Sequence, residues 1–266
     1  MKILKSLLIA ILLIVSAFAL AVDKPSIKLA TTTSTDNSGL LGYLLPIFEN
    51  KYNIQVKIIA TGTGRALELA KKGDVDLVLV HAPAKEVEFI TSGFGVERVG
   101  LMYNYFLIVG PLNDPANIKS SNSVNQAFNK IAQSKAKFVS RADQSGTHTK
   151  ELEIWQYANI SPKGEWYKQV GQGMGRTLLI ADQLNAYTLI DLATWLKLKP
   201  KTSLQKLYSN DPIMFNPYSL ILVNPKKHPF VKYQQAQVFS QWISSKKIKH
   251  LINQYQAQGQ QLFFAK

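Results

Sequence analysis

The sequence predicts an α/β protein of two lobes, each a mixed, mostly parallel sheet flanked by helices. Three observations predict it. Strand-like and helix-like segments alternate along most of the chain. Several strand-to-helix junctions are polar turns rich in Ser, Thr and Gly. Two breaks, Gly110-Pro111-Leu112-Asn113-Asp114-Pro115 and Asn210-Asp211-Pro212, interrupt the alternation. A chain that leaves one lobe at the first break and returns at the second puts residues 22–110 and 212–266 in lobe 1 and residues 111–211 in lobe 2. Ligands of such sheets sit outside the carboxyl ends of the strands. The site is therefore expected between the lobes, where closure about a hinge suits capture of a small solute.

Residues 1–21 read as a secretory signal. Met1-Lys2-Ile3-Leu4-Lys5 precedes an apolar run from Ser6 to Leu20, and Ala19-Leu20-Ala21 places cleavage after Ala21. The run is short for a membrane span, and polar residues follow at once. The mature protein is expected outside the cytoplasm, since no later segment is long and apolar enough to span. The chain has no cysteine. That excludes disulfides, thiolate zinc sites and cysteine nucleophiles, and also a lipid anchor at the cleavage site.

The elements follow in order. Ser26 to Ala30 alternates as a strand. It runs into Thr31-Thr32-Thr33-Ser34-Thr35-Asp36-Asn37-Ser38-Gly39, and Leu40 to Phe48 leaves as a helix. The turn has five hydroxyls in its first five positions. A helix N-terminus carries unpaired N–H groups and partial positive charge, so it binds anions. Neutral hydroxyl donors around it suit an anion with no proton to give back. The same composition also serves as a plain cap, and it is the recurrence of such units downstream that favours a ligand. Asn53 to Ala60 is a second strand, followed by Thr61-Gly62-Thr63-Gly64-Arg65 and a helix from Ala66 to Lys72 stopped by Gly73. The glycines let backbone approach a ligand, but the spacing is neither a P-loop nor a complete dinucleotide fingerprint. Asp74 to His81 is nearly continuous in apolar residues, as in a strand buried on both faces. Ala82-Pro83-Ala84 breaks it, and a helix begins at Lys85.

Met102 to Val109 is a strand, Val124 to Ala132 a helix, and Lys137 to Ser140 a short strand. Arg141-Ala142-Asp143-Gln144-Ser145-Gly146-Thr147-His148 repeats the donor turn and adds an arginine. A helix from Thr149 to Tyr157 follows, with Trp155 on its apolar face. Gly171 to Arg176 is loop, Thr177 to Leu184 helix, Tyr187 to Ile190 strand, and Tyr218 to Val223 a buried strand. Helices from Phe230 to Ile243 and Lys246 to Tyr255 carry Phe239, Trp242 and Leu251 as core anchors.

The formal charge of +14 comes almost wholly from lysine, with only four arginines: Arg65, Arg98, Arg141 and Arg176. Scattered lysines read as a solvated surface that helps collect an anion. No aromatic-interleaved basic patch points to nucleic acid. The four histidines lack paired metal-ligand spacing, and there is no Gly-x-Ser-x-Gly elbow. No metal site and no catalytic residue is expected. Only His148, beside Thr147, offers a base for the remote alternative, a secreted phosphoester hydrolase.

Together these residues resemble the tungstate-binding proteins of ABC importers, relatives of the molybdate- and phosphate-binding proteins. The resemblance rests on Thr31-Thr32-Thr33-Ser34-Thr35-Asp36-Asn37-Ser38-Gly39-Leu40-Leu41, Leu79-Val80-His81-Ala82, Met102-Tyr103-Asn104 with Gly110-Pro111, Ser140-Arg141-x-Asp143-x-Ser145-Gly146-Thr147-His148 and Gly173-Met174-Gly175-x-Thr177-Leu178. It covers nearly the whole mature chain. One departure is Asp191-Leu192-Ala193-Thr194, where the family has Asp-Arg-x-Thr. The resemblance implies a type II periplasmic binding protein fold, a periplasmic location and no enzymatic activity. It implies no cofactor, a tungstate or molybdate ligand, delivery to the membrane permease of an ABC importer, and a monomer. By the family pattern, contacts fall on Thr32, Thr33, Ser34, Arg141, Ser145, Gly146 and Thr147, with Arg65 and Ala82 facing the cleft.

Arg141 suits the clamp, because a planar guanidinium gives two-pronged, charge-assisted bonds to an oxyanion. Asp143 then orients Arg141 and caps the helix. Its other use, accepting the proton of phosphate, makes phosphate (with sulfate) the alternative ligand. Arg65 is open between ligand contact and a lobe–lobe salt bridge. Arg176 reads as structural and Arg98 as surface.

Overall fold

The computed structural model describes residues 24–209 and 211–266; the signal segment and Asn210 lie outside the described residues. β1 (Ser26–Thr32) feeds a short α1 (Thr33–Asn37) and then α2 (Leu40–Tyr52). β2 (Gln55–Thr61), α3 (Thr63–Lys71), β3 (Leu77–Val80) and α4 (Pro83–Thr91) follow. β1 lies between β2 and β3 and is parallel to both, with Thr32 opposite Thr61 and Thr31 opposite Leu79. The carboxyl ends of three strands, and the turns after them, therefore stand side by side.

β4 (Gly95–Gly110) is 16 residues long and belongs to both lobes. Beyond it come α5 (Val124–Ser134), β5 (Phe138–Ser140), α6 (Gly146–Tyr157), β6 (Tyr167–Gln169), α7 (Met174–Gln183), β7 (Thr188–Asp191), α8 (Leu192–Leu198) and β8 (Gln205–Tyr208). β9 (Phe215–Val223) returns, and α9 (Tyr233–Ile243), α10 (Lys246–Gln254), the hairpin β10 (Gln256–Ala257) with β11 (Gln260–Gln261), and β12 (Phe264–Ala265) finish the chain. The main sheet runs β12-β4-β9-β3-β1-β2, and the far end of β4 pairs instead with β7 and β8. β4 and β9 thus carry the chain out of the first lobe and back, antiparallel to each other.

Both sheets are covered on both faces. In β3, Leu77 and Leu79 join the core under α2, α9 and α10, while Val78 and Val80 face α3 and α4. In β4, Leu107 and Val109 pack toward α7 and α8, while Phe106 and Ile108 pack toward α5 and α6. Side chains of a strand alternate between faces. A strand with helices on both sides must therefore be apolar throughout, and the continuous apolar runs had this cause.

Four expectations need correction. The polar turn after β1 is itself helical from Thr33, because Thr32 acts as N-cap and accepts the Thr35 N–H at 3.2 Å. The sheets are mixed, but antiparallel pairs carry more of them than the sequence implies, since both crossing strands pair antiparallel with their neighbours. The last long helix starts at Tyr233; Phe230 lies outside it and is 96% exposed. Leu251 is half-buried, unlike Phe239 and Trp242, which are buried.

Candidate functional site

Three turns of the first lobe face the second. The turn after β2 lines an open cleft of about 640 Å³ whose other wall is Asp143, Gln144 and Ser145. After β3, His81 is packed by Gly146: a Cβ there would stand 2.9 Å from His81 Cε1 and 3.2 Å from the His81 carbonyl. Between them, Thr33 and Ser34 border Met174, Gly175, Ala193 and Thr194, at the starts of α7 and α8.

Each donor has a local cause. The Thr32 hydroxyl lies 3.1 Å from that of Ser34 and 2.7 Å from that of Thr35, and all three residues are buried. Thr63, the first residue of α3, has a buried hydroxyl with no partner among the described residues. Sequence reasoning did not single it out, although the Gly62-x-Gly64 spacing around it was the signal. In the second lobe, Ser145 caps α6 by accepting the His148 N–H. Gly146 and Thr147 open that helix, so their N–H groups have no intrahelical partner. Arg141 is only 7% exposed; Nη2 donates to Asp143 at 2.5 Å, Nη1 to the Thr147 hydroxyl at 3.3 Å, and Nε is buried with no partner. The turn is also strained: Ala142 and Gln144 have φ of 49° and 59°, a region that costs a non-glycine residue about 1 kcal/mol each.

Asp143 is committed to its own turn, to Arg141 and to the Ser145 N–H at 3.2 Å. Burial raises its pKa, but the hydrogen bonds from Ser145 and the Arg141 charge outweigh that and hold it below the usual carboxylate range. His148 takes the Gln144 N–H on Nδ1 at 3.0 Å, which occupies the lone pair a base would use. Burial holds the His81 pKa below its ordinary value, against the Asp191 charge that raises it. Asn216 fixes its tautomer. The Asn216 amide nitrogen donates to Asn104 and to Tyr218, so its oxygen accepts His81 Nδ1–H at 2.8 Å.

Of the residues expected at the site, Arg141, Ser145, Gly146 and Thr147 converge on one turn, and Thr32 and Ser34 on the turn of the middle strand. Thr33 is exposed and borders the starts of α7 and α8, and its backbone N–H has no intrahelical partner. The Ala82 N–H is already taken by Glu86 at 2.7 Å, so it is no free donor. Arg65 is exposed on the rim of the cleft, with no ion pair among the described residues. Arg98 is not a free surface cation: Nε and Nη2 both donate to the buried Glu86, at 2.9 and 2.7 Å. Asp191, in the departing segment, is buried and caps α8, accepting the Thr194 N–H and hydroxyl at 2.9 and 2.7 Å.

The PBP superfamily domain matches residues 21–247. The tungstate-binding protein TupA of Peptoclostridium acidaminophilum is 46% identical over 87% of this chain and 82% of its own length. The structure of the tungstate ABC transporter from Geobacter sulfurreducens aligns with TM-score 0.81 and 47% identity, covering 86% of this chain and 98% of that one. TupA from Desulfovibrio alaskensis G20 aligns with TM-score 0.81 and 43% identity, covering 91% and 99%. The chain belongs to the PBP superfamily and, within it, to the family of these tungstate-binding proteins.

Proposed function

We propose that this chain is an extracytoplasmic solute-binding protein that captures tungstate, with molybdate as a second ligand, and hands it to the membrane permease of an ABC importer. The observation that carries this is that, of the six buried side-chain polar atoms without a partner among the described residues, two, Arg141 Nε and the Thr63 hydroxyl, belong to turns that face each other across the cleft. Buried donors without acceptors are rare in a finished fold, and a fully deprotonated tetrahedral dianion supplies acceptors alone. Thr32, Ser34, Arg141, Ser145, Gly146 and Thr147 are the proposed contacts, with Thr63 added and Arg65 as a rim cation. Phosphate is disfavoured because it carries a proton near neutral pH and the one carboxylate in the turn, Asp143, is already engaged. The same reading includes cleavage after Ala21, a monomer in the periplasm, and lobes divided at residues 22–110 with 212–266 and at 111–211.

Calorimetric titration of the mature protein with tungstate, molybdate, sulfate and phosphate is the test. One tungstate per chain is expected, with phosphate a poor competitor at neutral pH. Arg141→Ala should weaken tungstate binding by hundreds-fold, since breaking a buried charge pair costs about 3–5 kcal/mol. Thr147→Ala removes one hydrogen bond to a charged group and should cost about tenfold to a hundredfold. Binding of Arg141→Ala as tight as the parent would place the site elsewhere.

A further inference from the structure

At the amino ends of the parallel strands, away from the cleft, residues 224–232 form a loop whose tip is Phe230. The ring is 96% exposed. An isolated exposed phenylalanine is ordinary on a loose loop, but this loop is fastened. Asn224 Nδ2 donates to the Gly93 carbonyl at 2.7 Å. Lys227 Nζ donates to the Ser92 carbonyl at 2.8 Å and lies 3.9 Å over the Phe94 ring. The Lys232 N–H donates to Asp76 at 2.7 Å, and Lys232 Nζ reaches the Ser26 carbonyl at 2.7 Å. Val231, next to the tip, is buried. The backbone on both sides of Phe230 is thus fixed, and the ring is held out into water.

The surroundings of the tip are cationic. Lys226, Lys227 and Lys232 are exposed on the loop itself. His228 packs on Gly73, which brings the exposed Lys72 alongside, and Lys28 bonds the Asp74 carbonyl beside it. Two exposed acids stand nearby, Asp74 and Glu97, the latter already taken by the Tyr233 hydroxyl and the Gln237 amide, while the Asp76 carboxylate is buried and used by backbone N–H groups.

We propose that this loop is a docking surface for an anionic lipid bilayer, with Phe230 entering the headgroup region, Lys226 and Lys72 meeting the lipid charge, and Lys227, Lys232 and Lys28, whose ammonium groups bond backbone carbonyls, adding positive potential beside them. A protein partner of ordinary size would bury about 800 Å² per side around an apolar core, and a single ring on a convex lysine-rimmed tip offers no such core. A bilayer interface asks for less: an aromatic side chain at headgroup depth and cations within reach of anionic lipid. The face lies at the opposite end of the strands from the cleft, so docking leaves ligand capture free. The formal net charge, +14 for the whole sequence and two less without Lys2 and Lys5 of the signal segment, adds long-range attraction to the same surface.

The test is co-sedimentation of the mature protein with phosphatidylcholine vesicles, with and without phosphatidylglycerol, at low and high salt. Binding is expected only with phosphatidylglycerol and should weaken with salt. Phe230→Ser should reduce it about tenfold or more, as loss of a buried aromatic ring predicts. Lys226→Glu should also weaken it, more than Lys163→Glu, an exposed lysine of the second lobe. Melting temperature and tungstate affinity should be unchanged in the Phe230 and Lys226 variants, which separates this inference from the proposed ligand. The proposal is overturned by equal binding to neutral vesicles, by binding indifferent to Phe230→Ser, or by equal effects of Lys226→Glu and Lys163→Glu. Self-association that depends on Phe230 would likewise assign the tip to a second copy of the chain instead.

Discussion

Glu86 accepts two bonds from Arg98 on one oxygen and the Ala82 N–H on the other, and its carboxylate is fully buried. Burial pushes its pKa up, and the Arg98 bonds push it back. Arg98→Ala should therefore destabilise the fold by about 1–3 kcal/mol, less than a fully buried pair because Arg98 is partly exposed. The loss should grow as pH rises above the carboxylate range, where the stranded group must either ionise or hold its proton at a cost. Thermal melts at pH 5 and pH 8 check this, and equal losses at both would show that Glu86 is not the cause. Glu151 is a second buried glutamate. Burial raises its pKa to about 7, against hydrogen bonds from the Tyr167 hydroxyl at 2.6 Å and Trp155 Nε1 at 3.2 Å. A carboxyl with a raised native pKa binds a proton more tightly when folded. Its contribution is complete below the ordinary carboxyl pKa and is lost as pH rises toward 7. Glu151→Gln should flatten that slope and gain on the parent at pH 8, on the order of 1–2 kcal/mol. Denaturant titrations of both proteins across pH 5–8 measure it.

At the scale of the element, α6 joins site to lobe contact. Its first residue must be small, because a Cβ on Gly146 would press on the His81 ring and carbonyl where the two lobes meet. His81 cannot easily give way, since Asn216 and Asn104 hold it from the two crossing strands. Gly146→Ala should then weaken tungstate binding about tenfold or more while leaving the melting temperature of the unliganded protein nearly unchanged, because an open cleft relieves the clash. If calorimetry gives parental affinity, the helix start is not what seats the lobes. The strained Arg141 turn belongs at this scale too. Two residues in the left-handed region aim Arg141 and the start of α6 together, where strain is typical of functional turns.

Over the whole molecule, two lysines bridge the lobes at the edges of the contact. Lys85 Nζ donates to the Gln144 carbonyl at 3.0 Å, and Lys197 Nζ donates to the Asn37 carbonyl at 3.0 Å. Both bonds join residues far apart in sequence, and both are lost if the lobes part. Each is exposed and worth at most about 1 kcal/mol. Removing both, as Lys85→Ala with Lys197→Ala, should speed tungstate release about tenfold without lowering the unliganded melting temperature. Stopped-flow release at high salt, where long-range attraction is screened, isolates the bridges. Release at the parental rate would show that closure rests on the ligand contacts alone.

The sequence by itself determined the α/β alternation, the donor turns and the arginine in the second of them. These are local properties: period, glycine and hydroxyl spacing, and caps are set by neighbours within a few residues. Continuous apolar runs even disclosed which strands are covered on both faces. What only the tertiary structure decided is which partner each polar group finds. Arg98 looked like surface and is bonded to a buried acid twelve positions away. Ala82 looked like a ligand donor and gives its N–H to that same acid. Thr33 and Ser34 are adjacent in one hydroxyl run, yet one is exposed and the other buried, because the run is already helical and successive residues point in different directions. Phe230 looked like the start of an apolar helix face, and long-range anchors to Ser26, Asp76, Ser92 and Gly93 hold its loop outside the helix instead. Bonds between residues a hundred positions apart leave no period in the chain, so only the assembled sheets, turns and strands that cross between the lobes could reveal them.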